Sequence, residues 1–134
     1  MEAILGHGID IVSISRMREV LARQGEHFQK RVFGEAERKY CLSKSDPVPH
    51  FAARFAAKEA YGKALSLGLG PSGNFSEIEV EHNERGAPSF VLKASAKEIF
   101  LSKGGAEIFL SISHDGDMAM ASVIVTKKSC ITVL

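Results

Sequence analysis

Residues 3–12 are apolar, β-branched and punctuated by glycine, which predicts a buried strand whose glycines allow close backbone approach. Asp10 interrupts that run. Ser13 or Ser15 is placed to cap a following helix with the apolar stripe Ile14, Met17, Val20 and Leu21, and Gly25 is its expected stop. A second short helix is predicted over Glu35–Leu42, and Pro47 and Pro49 are expected to break the chain before the next element. The longest helical pattern runs from His50 to Leu67, rich in Ala, Lys, Glu and Leu and free of internal proline.

After a glycine-rich loop (Gly68–Gly73), Ile78 and Val80 alternate with Glu77, Glu79 and Glu81, as in a half-buried strand. A turn at Asn83–Gly86 leads to a second strand, Pro88–Lys93, with Phe90 and Leu92 on one face. Ser95 is the expected cap of a helix through Ser102 that ends at Gly104-Gly105. Ile108–Ser113 and Met118–Thr126 are two more strands, joined by His114-Asp115-Gly116-Asp117 with its Asp-Gly turn signal. This order of elements predicts one α+β domain over residues 1–134, with a small, mostly antiparallel sheet packed against the long central helix.

Composition narrows the partners. The 134 residues carry 17 Lys+Arg against 16 Asp+Glu, a net charge of +1, so bulk charge does not point to nucleic acid. No apolar run reaches membrane-spanning length, and the N-terminus lacks a basic leader region. Two cysteines, Cys41 and Cys130, are too few for a disulfide framework and read as small buried residues. These features together point to the cytoplasm. Charge is unevenly spread: Arg16–Lys44 holds eight basic and four acidic residues and is net +4, while the remainder is net −3. Such a segment is either a solvated helix face or a landing site for an acidic partner.

Several side chains carry candidate chemistry. Asp10, inside GIDIV, must be exposed, paired or bound to a cation, because a bare buried carboxylate is costly. Phe55, Glu59 and Lys63 share one helix face, on which Glu59–Lys63 reads as an ordinary surface pair or as part of a site. Arg54, Lys58 and Tyr61 form a neighbouring stripe. Arg54, near the helix start, is poorly placed for the helix dipole and better explained by an anion. Asp10 and Glu59 together have the donor set for one Mg²⁺, which takes one or two protein carboxylates and completes its shell with water and phosphate oxygens. His114, at a strand end, is placed either to contact phosphate or to bond within its own turn. His7, His27, His50 and His82 show no metal-ligand spacing, and no Walker A loop, HExxH or GxSxG elbow occurs.

GHGIDIVSISR, FAARFAAKEAYGKALSLGLG, NERGAPSF and LSISHD occur in that order over Ile4–Val125. In order and spacing they resemble the holo-acyl-carrier-protein synthases, the small bacterial type of 4′-phosphopantetheinyl transferase. The resemblance implies transfer of 4′-phosphopantetheine from coenzyme A to a serine of apo-acyl carrier protein, in support of fatty acid biosynthesis, with adenosine 3′,5′-bisphosphate released. It implies that Asp10 and Glu59 hold Mg²⁺, that Lys63 belongs to the active site, and that His114 and Arg54 contact the coenzyme. It further implies adenine packing against Gly86–Pro88, carrier-protein docking on Arg16, Arg18 and Arg23, and a homotrimer with active sites between subunits. Glu59 is the candidate base. Two competitors use overlapping residues: a non-catalytic coenzyme A-binding protein, and a metal-dependent phosphohydrolase that leaves the basic helix unexplained. His7, between two glycines, departs from the family pattern. The apolar tail after Lys127 is expected to add an edge strand or pack at a subunit interface.

Overall fold

The computed structural model describes residues 3–68 and 70–128, so Cys130 and the end of the tail lie outside the described residues. Three strands, β1 (Ala3–Ser13), β4 (Gly105–Asp115) and β5 (Met118–Lys127), form an antiparallel sheet in the order β1-β5-β4. A separate antiparallel hairpin pairs β2 (Ile78–His82) with β3 (Pro88–Leu92). All pairing is antiparallel, as the alternation predicts, but it is divided between two sheets.

The first helix, α1 (Ile14–Val32), follows β1 directly, and α2 (Glu35–Leu42) comes before α3 (Val48–Ala64). Helix α3 lies across β1 because Gly6 and Gly8 have no side chains. A Cβ on Gly8 would overlap the Ala60 carbonyl oxygen, and one on Gly6 the Ala64 carbonyl oxygen. Ala56, Ala57, Ala60 and Ala64 present an equally small surface, and they join Val123 and Val125 in one buried core. A second core gathers Met17, Phe28, Phe33, Phe51 and Ala52 between α1 and α3.

Gly25 ends the first helical stretch as expected: its positive φ of 55° breaks the helical path, and a second stretch of α1 then runs to Val32, with Phe28 and Val32 buried in the second core. Three local expectations are corrected. Pro47 and Pro49 do not separate α3 from what precedes it. They occupy its N-cap and first turn, where a missing N–H costs nothing, so the helix starts at Val48. The N-cap of α4 (Ala94–Ser102) is Lys93, not Ser95, and the Ser95 hydroxyl donates to Glu77 at 2.6 Å. The Glu77 carboxylate also accepts the Ala96 N–H at 3.3 Å, so a residue outside the helix supplies the cap. Glu79 does not face solvent: it is buried and pairs with Lys93 at 2.9 Å.

Ser13 does cap α1, its hydroxyl accepting the Arg16 N–H at 3.2 Å. His114 and Asp115 belong to β4, and Gly116-Asp117 is the two-residue link to β5. Asp117, next to Met118 which pairs with Ser13, accepts from the Ser13 and Ser15 hydroxyls and the Ser15 N–H at 2.8–2.9 Å. This fixes the junction between β1 and α1.

Candidate active site

Helix α3 separates two cavities. Residues 54 and 59 are five apart, which puts them about 140° apart around the helix axis. Glu59 and Phe55 face a cavity of about 400 Å³ that Asp10, Ser13 and Arg16 also line, over an apolar floor of Met17, Val20 and Phe28. Asp10 shares its sheet face with Gly8 and Val12, the face that α3 covers, and this is how strand and helix bring the two acids to one cavity. Burial, then the charge of Asp10, pushes the Glu59 carboxyl up from its ordinary value, and Lys63 partly opposes the shift. Lys63 does not form the expected surface pair with Glu59. Its ammonium donates to Asp10 Oδ1 at 3.1 Å and to the Ile9 carbonyl at 3.0 Å.

Two carboxylates facing one cavity, one of them carrying the cost of the other's charge, suit a hard divalent cation. Among the described residues no group of three or more His, Cys, Asp or Glu side chains surrounds a common point. The pair therefore fits an ion that completes its shell with water and substrate oxygens, as Mg²⁺ does, rather than one caged by protein.

The second cavity, about 280 Å³, is lined by Tyr40, His50, Arg54, His82, Gly86, Pro88 and His114 among others. Of the five residues expected at the coenzyme, Arg54, Gly86, Pro88 and His114 meet here, whereas Lys63 is paired with Asp10 on the other side of the helix. The hairpin turn is shaped by Asn83, whose side-chain oxygen accepts the Arg85 and Ala87 N–H groups at 2.9 Å, and Gly86 supplies a φ of 82°. Among the described residues no carboxylate lines this cavity. Arg54 is 2% exposed, and its guanidinium lies 4.3 Å from the Tyr40 ring centre.

Lys58, grouped with Arg54 by spacing, does a different job. It is fully buried, and its ammonium donates at 2.7 Å to Glu37, to the Phe75 carbonyl and to the Ile78 carbonyl. Glu37 in turn accepts the Gly34 and Val80 N–H groups at 3.0 Å. This hub ties α2 and β2 to α3 behind the second cavity. Tyr61 is buried in the core against Phe90. Arg18, expected to be free for a partner, is held by both Asp46 carboxylate oxygens at 3.2 and 2.7 Å. Arg16 and Arg23 are exposed, and Arg16 borders the acidic cavity.

His50, His82 and Tyr40 are cavity residues that metal-ligand spacing does not reveal, because they line a pocket beside a guanidinium and do not converge on a common point. The usable signal was position: His82 directly precedes the Asn83–Gly86 turn, and His50 lies one helical turn before Arg54. For Lys58 the signal was its setting, a lysine inside the alanine-rich stretch FAARFAAKEA, where small neighbours imply close packing. Burial pushes the Cys41 thiol up to about 11, which fits an inert packing residue.

Residues 6–121 match the model of the 4′-phosphopantetheinyl transferase superfamily, and the chain belongs to this family. It is 44% identical over 124 residues to the holo-[acyl-carrier-protein] synthase of Syntrophotalea carbinolica, covering 92% of this chain and 97% of that protein. It is 43% identical over 121 residues to the synthase of the same name from Chlamydia pneumoniae, covering 90% and 96%. The crystal structure of the Neisseria meningitidis holo-[acyl-carrier-protein] synthase superposes with a TM-score of 0.87 at 31% identity, over 92% of this chain and 98% of that one. The Helicobacter pylori synthase in complex with coenzyme A superposes with a TM-score of 0.77 at 34% identity, over 89% and 98%. The α+β fold with its small antiparallel sheets is the fold of these synthases.

Proposed function

We propose that this protein transfers the 4′-phosphopantetheine group of coenzyme A to a serine of apo-acyl carrier protein, giving holo-acyl carrier protein and adenosine 3′,5′-bisphosphate. The observation that carries the reading is the division of charge between the cavities. Two carboxylates line the first, with Arg16 at its border and Lys63 paired to Asp10, while a buried guanidinium and three imidazoles line the second with no carboxylate among the described residues. A nucleotide with a pyrophosphate arm needs both kinds of surface.

Asp10 and Glu59 are the residues that would hold Mg²⁺, which supplies charge neutralisation and polarisation at the pyrophosphate when bound. Lys63 brings its ammonium to the same place and offsets charge on the departing nucleotide phosphate. Glu59, with its carboxyl pushed upward, is the candidate to take the serine proton, directly or through water. Arg54 and His114 hold the nucleotide phosphates, and adenine lies against the Gly86–Pro88 backbone.

The active protein is a homotrimer in the cytoplasm, with each active site between two subunits. The outer face of the three-stranded sheet supports this assembly. Ile9, Ile11, Met118 and Met120 share that face by register and alternation, as does Phe109, and each is at least 37% exposed. No helix among the described residues is long and apolar enough to cross a membrane. Arg16 and Arg23 offer unpaired positive charge to an acidic carrier protein, beside the cavity that holds the acids.

Mass spectrometry of apo-acyl carrier protein incubated with the protein, coenzyme A and Mg²⁺ tests this reading. The carrier protein should gain one phosphopantetheine arm. Coenzyme A binding without any gain in mass would instead establish the non-catalytic alternative.

A further inference from the structure

Arg54 poses a problem that its own helix does not solve. The guanidinium is permanently charged, 2% exposed and forms no salt bridge among the described residues. Of the carboxylates around it, Glu37 pairs with Lys58 and Glu79 with Lys93, while the exposed Glu81, which lines a small pocket with Arg54 and His82, forms no ion pair with Arg54. Among the described residues the buried Nε has no hydrogen-bond partner. Among the described residues its partners are His82, whose Nδ1 lies 3.1 Å from Nη2, the weakly accepting Cys41 thiol and the face of Tyr40.

His82 suits that bond. Its ring lies on the same Tyr40, centres 5.2 Å apart and planes within 11°, which restricts rotation of the imidazole. A guanidinium only donates, so Nδ1 must carry a lone pair and the proton must sit on Nε2. Burial first, then the charges of Arg54, His50 and Lys44, hold His82 below the ordinary histidine value and keep the ring neutral. His82 also ends β2 in register with Pro88, so it joins the hairpin wall of the cavity to the α3 wall.

We propose that His82 is a positioning residue for Arg54: the imidazole, stacked on Tyr40, accepts the Nη2 proton and aims the guanidinium at the bound phosphate group. The structural half of this proposal stands on the ligand-free geometry. The functional half rests on the reading of the second cavity as the nucleotide site. The guanidinium keeps unspent donors and a full charge, because a neutral acceptor fixes it without neutralising it. A carboxylate at position 82 would hold Arg54 as firmly and cancel the charge the phosphate needs.

The test has two arms. In ligand-free protein at pH 7.5, imidazole ¹⁵N spectra should show His82 as a single Nε2–H tautomer, and Arg54→Gln should release that preference. A tautomer mixture in the unmodified protein overturns the proposal. In steady-state kinetics, His82→Phe keeps the stacked ring and removes the acceptor, so KM for coenzyme A should rise about tenfold with little change in kcat. His82→Gln, which retains an acceptor, should recover most of that loss. His82→Phe should add nothing in an Arg54→Gln background, because the two residues act as one unit. Additive effects, or a fall in kcat at unchanged KM, overturn the positioning role. A locked tautomer together with an Arg54→Gln variant of normal coenzyme A affinity overturns instead the assignment of the cavity to the nucleotide.

Discussion

The two cavities flanking α3 are held in opposite ways. At the acidic one, the lining residue Asp10 is held by Lys63, a 3.1 Å pair in which the lysine side chain is 54% exposed. The cationic one is backed by Lys58–Glu37, a 2.7 Å pair with both side chains essentially inaccessible. Five residues on one helix separate two lysines with opposite duties. The exposed pair costs little to open and can exchange partners when substrate arrives. In the buried pair all three ammonium protons of Lys58 are bonded and both Glu37 oxygens accept, so breaking it strands a charge. Spare charge is thus kept at the cavity mouths, and committed charge carries the architecture.

The largest effect is expected on the acidic side. Asp10→Ala and Glu59→Ala should each lower carrier-protein modification by about 10³-fold or more, with circular dichroism and melting near normal. Retained activity in either variant would remove the metal assignment. Next comes the contrast between lysines. Lys58→Ala should destabilise by about 3–5 kcal/mol in urea unfolding, whereas Lys63→Ala should shift stability by under about 1 kcal/mol while reducing kcat. Equal destabilisation would erase the distinction.

On the cationic side, Arg54→Gln should raise KM for coenzyme A about 10–100-fold and leave KM for carrier protein nearly unchanged. A smaller effect concerns salt. KM for carrier protein should climb with ionic strength more steeply than KM for coenzyme A, and Arg16→Ala with Arg23→Ala should flatten that slope. The Arg18→Ala variant should flatten it less, since Arg18 is already paired with Asp46.

The smallest effect separates the cavities by pH. His50 and His82 both titrate below the ordinary histidine value of about 6.5, each mainly through burial and then the charge of Arg54. The unfolded chain therefore binds more protons than the folded one as pH falls past 6.5. Their contribution to stability is complete above that value and is lost on acidification through the folded values. Melting between pH 7.5 and 5 should show the loss, reduced in His82→Gln.

Much of this was legible in the residues. The glycine-marked strand, the alanine-rich helix and the Asn83–Gly86 turn are written in local pattern, and motif order linked Asp10, Glu59, Arg54 and His114 to one chemistry. What escaped the pattern depends on distance along the chain. Glu37 meets Lys58 from 21 positions away, and Asp117 secures Ser13 and Ser15 from more than 100. Glu77 caps a helix it does not belong to. Gly25 marks the break in α1, but the second helical stretch that follows it, held by burial of Phe28 and Val32, has no equally clear local signal.

The central claim is that these cavities serve one reaction from two neighbouring subunits. Mixing Asp10→Ala protein with Arg54→Gln protein under conditions that exchange subunits tests it directly. Each variant alone should be nearly inactive. Random assembly pairs an intact acidic cavity with an intact cationic one at about a quarter of the interfaces, so carrier-protein modification should return to about a quarter of the wild-type rate. A mixture no more active than its parents, with subunit exchange verified, would contradict the account.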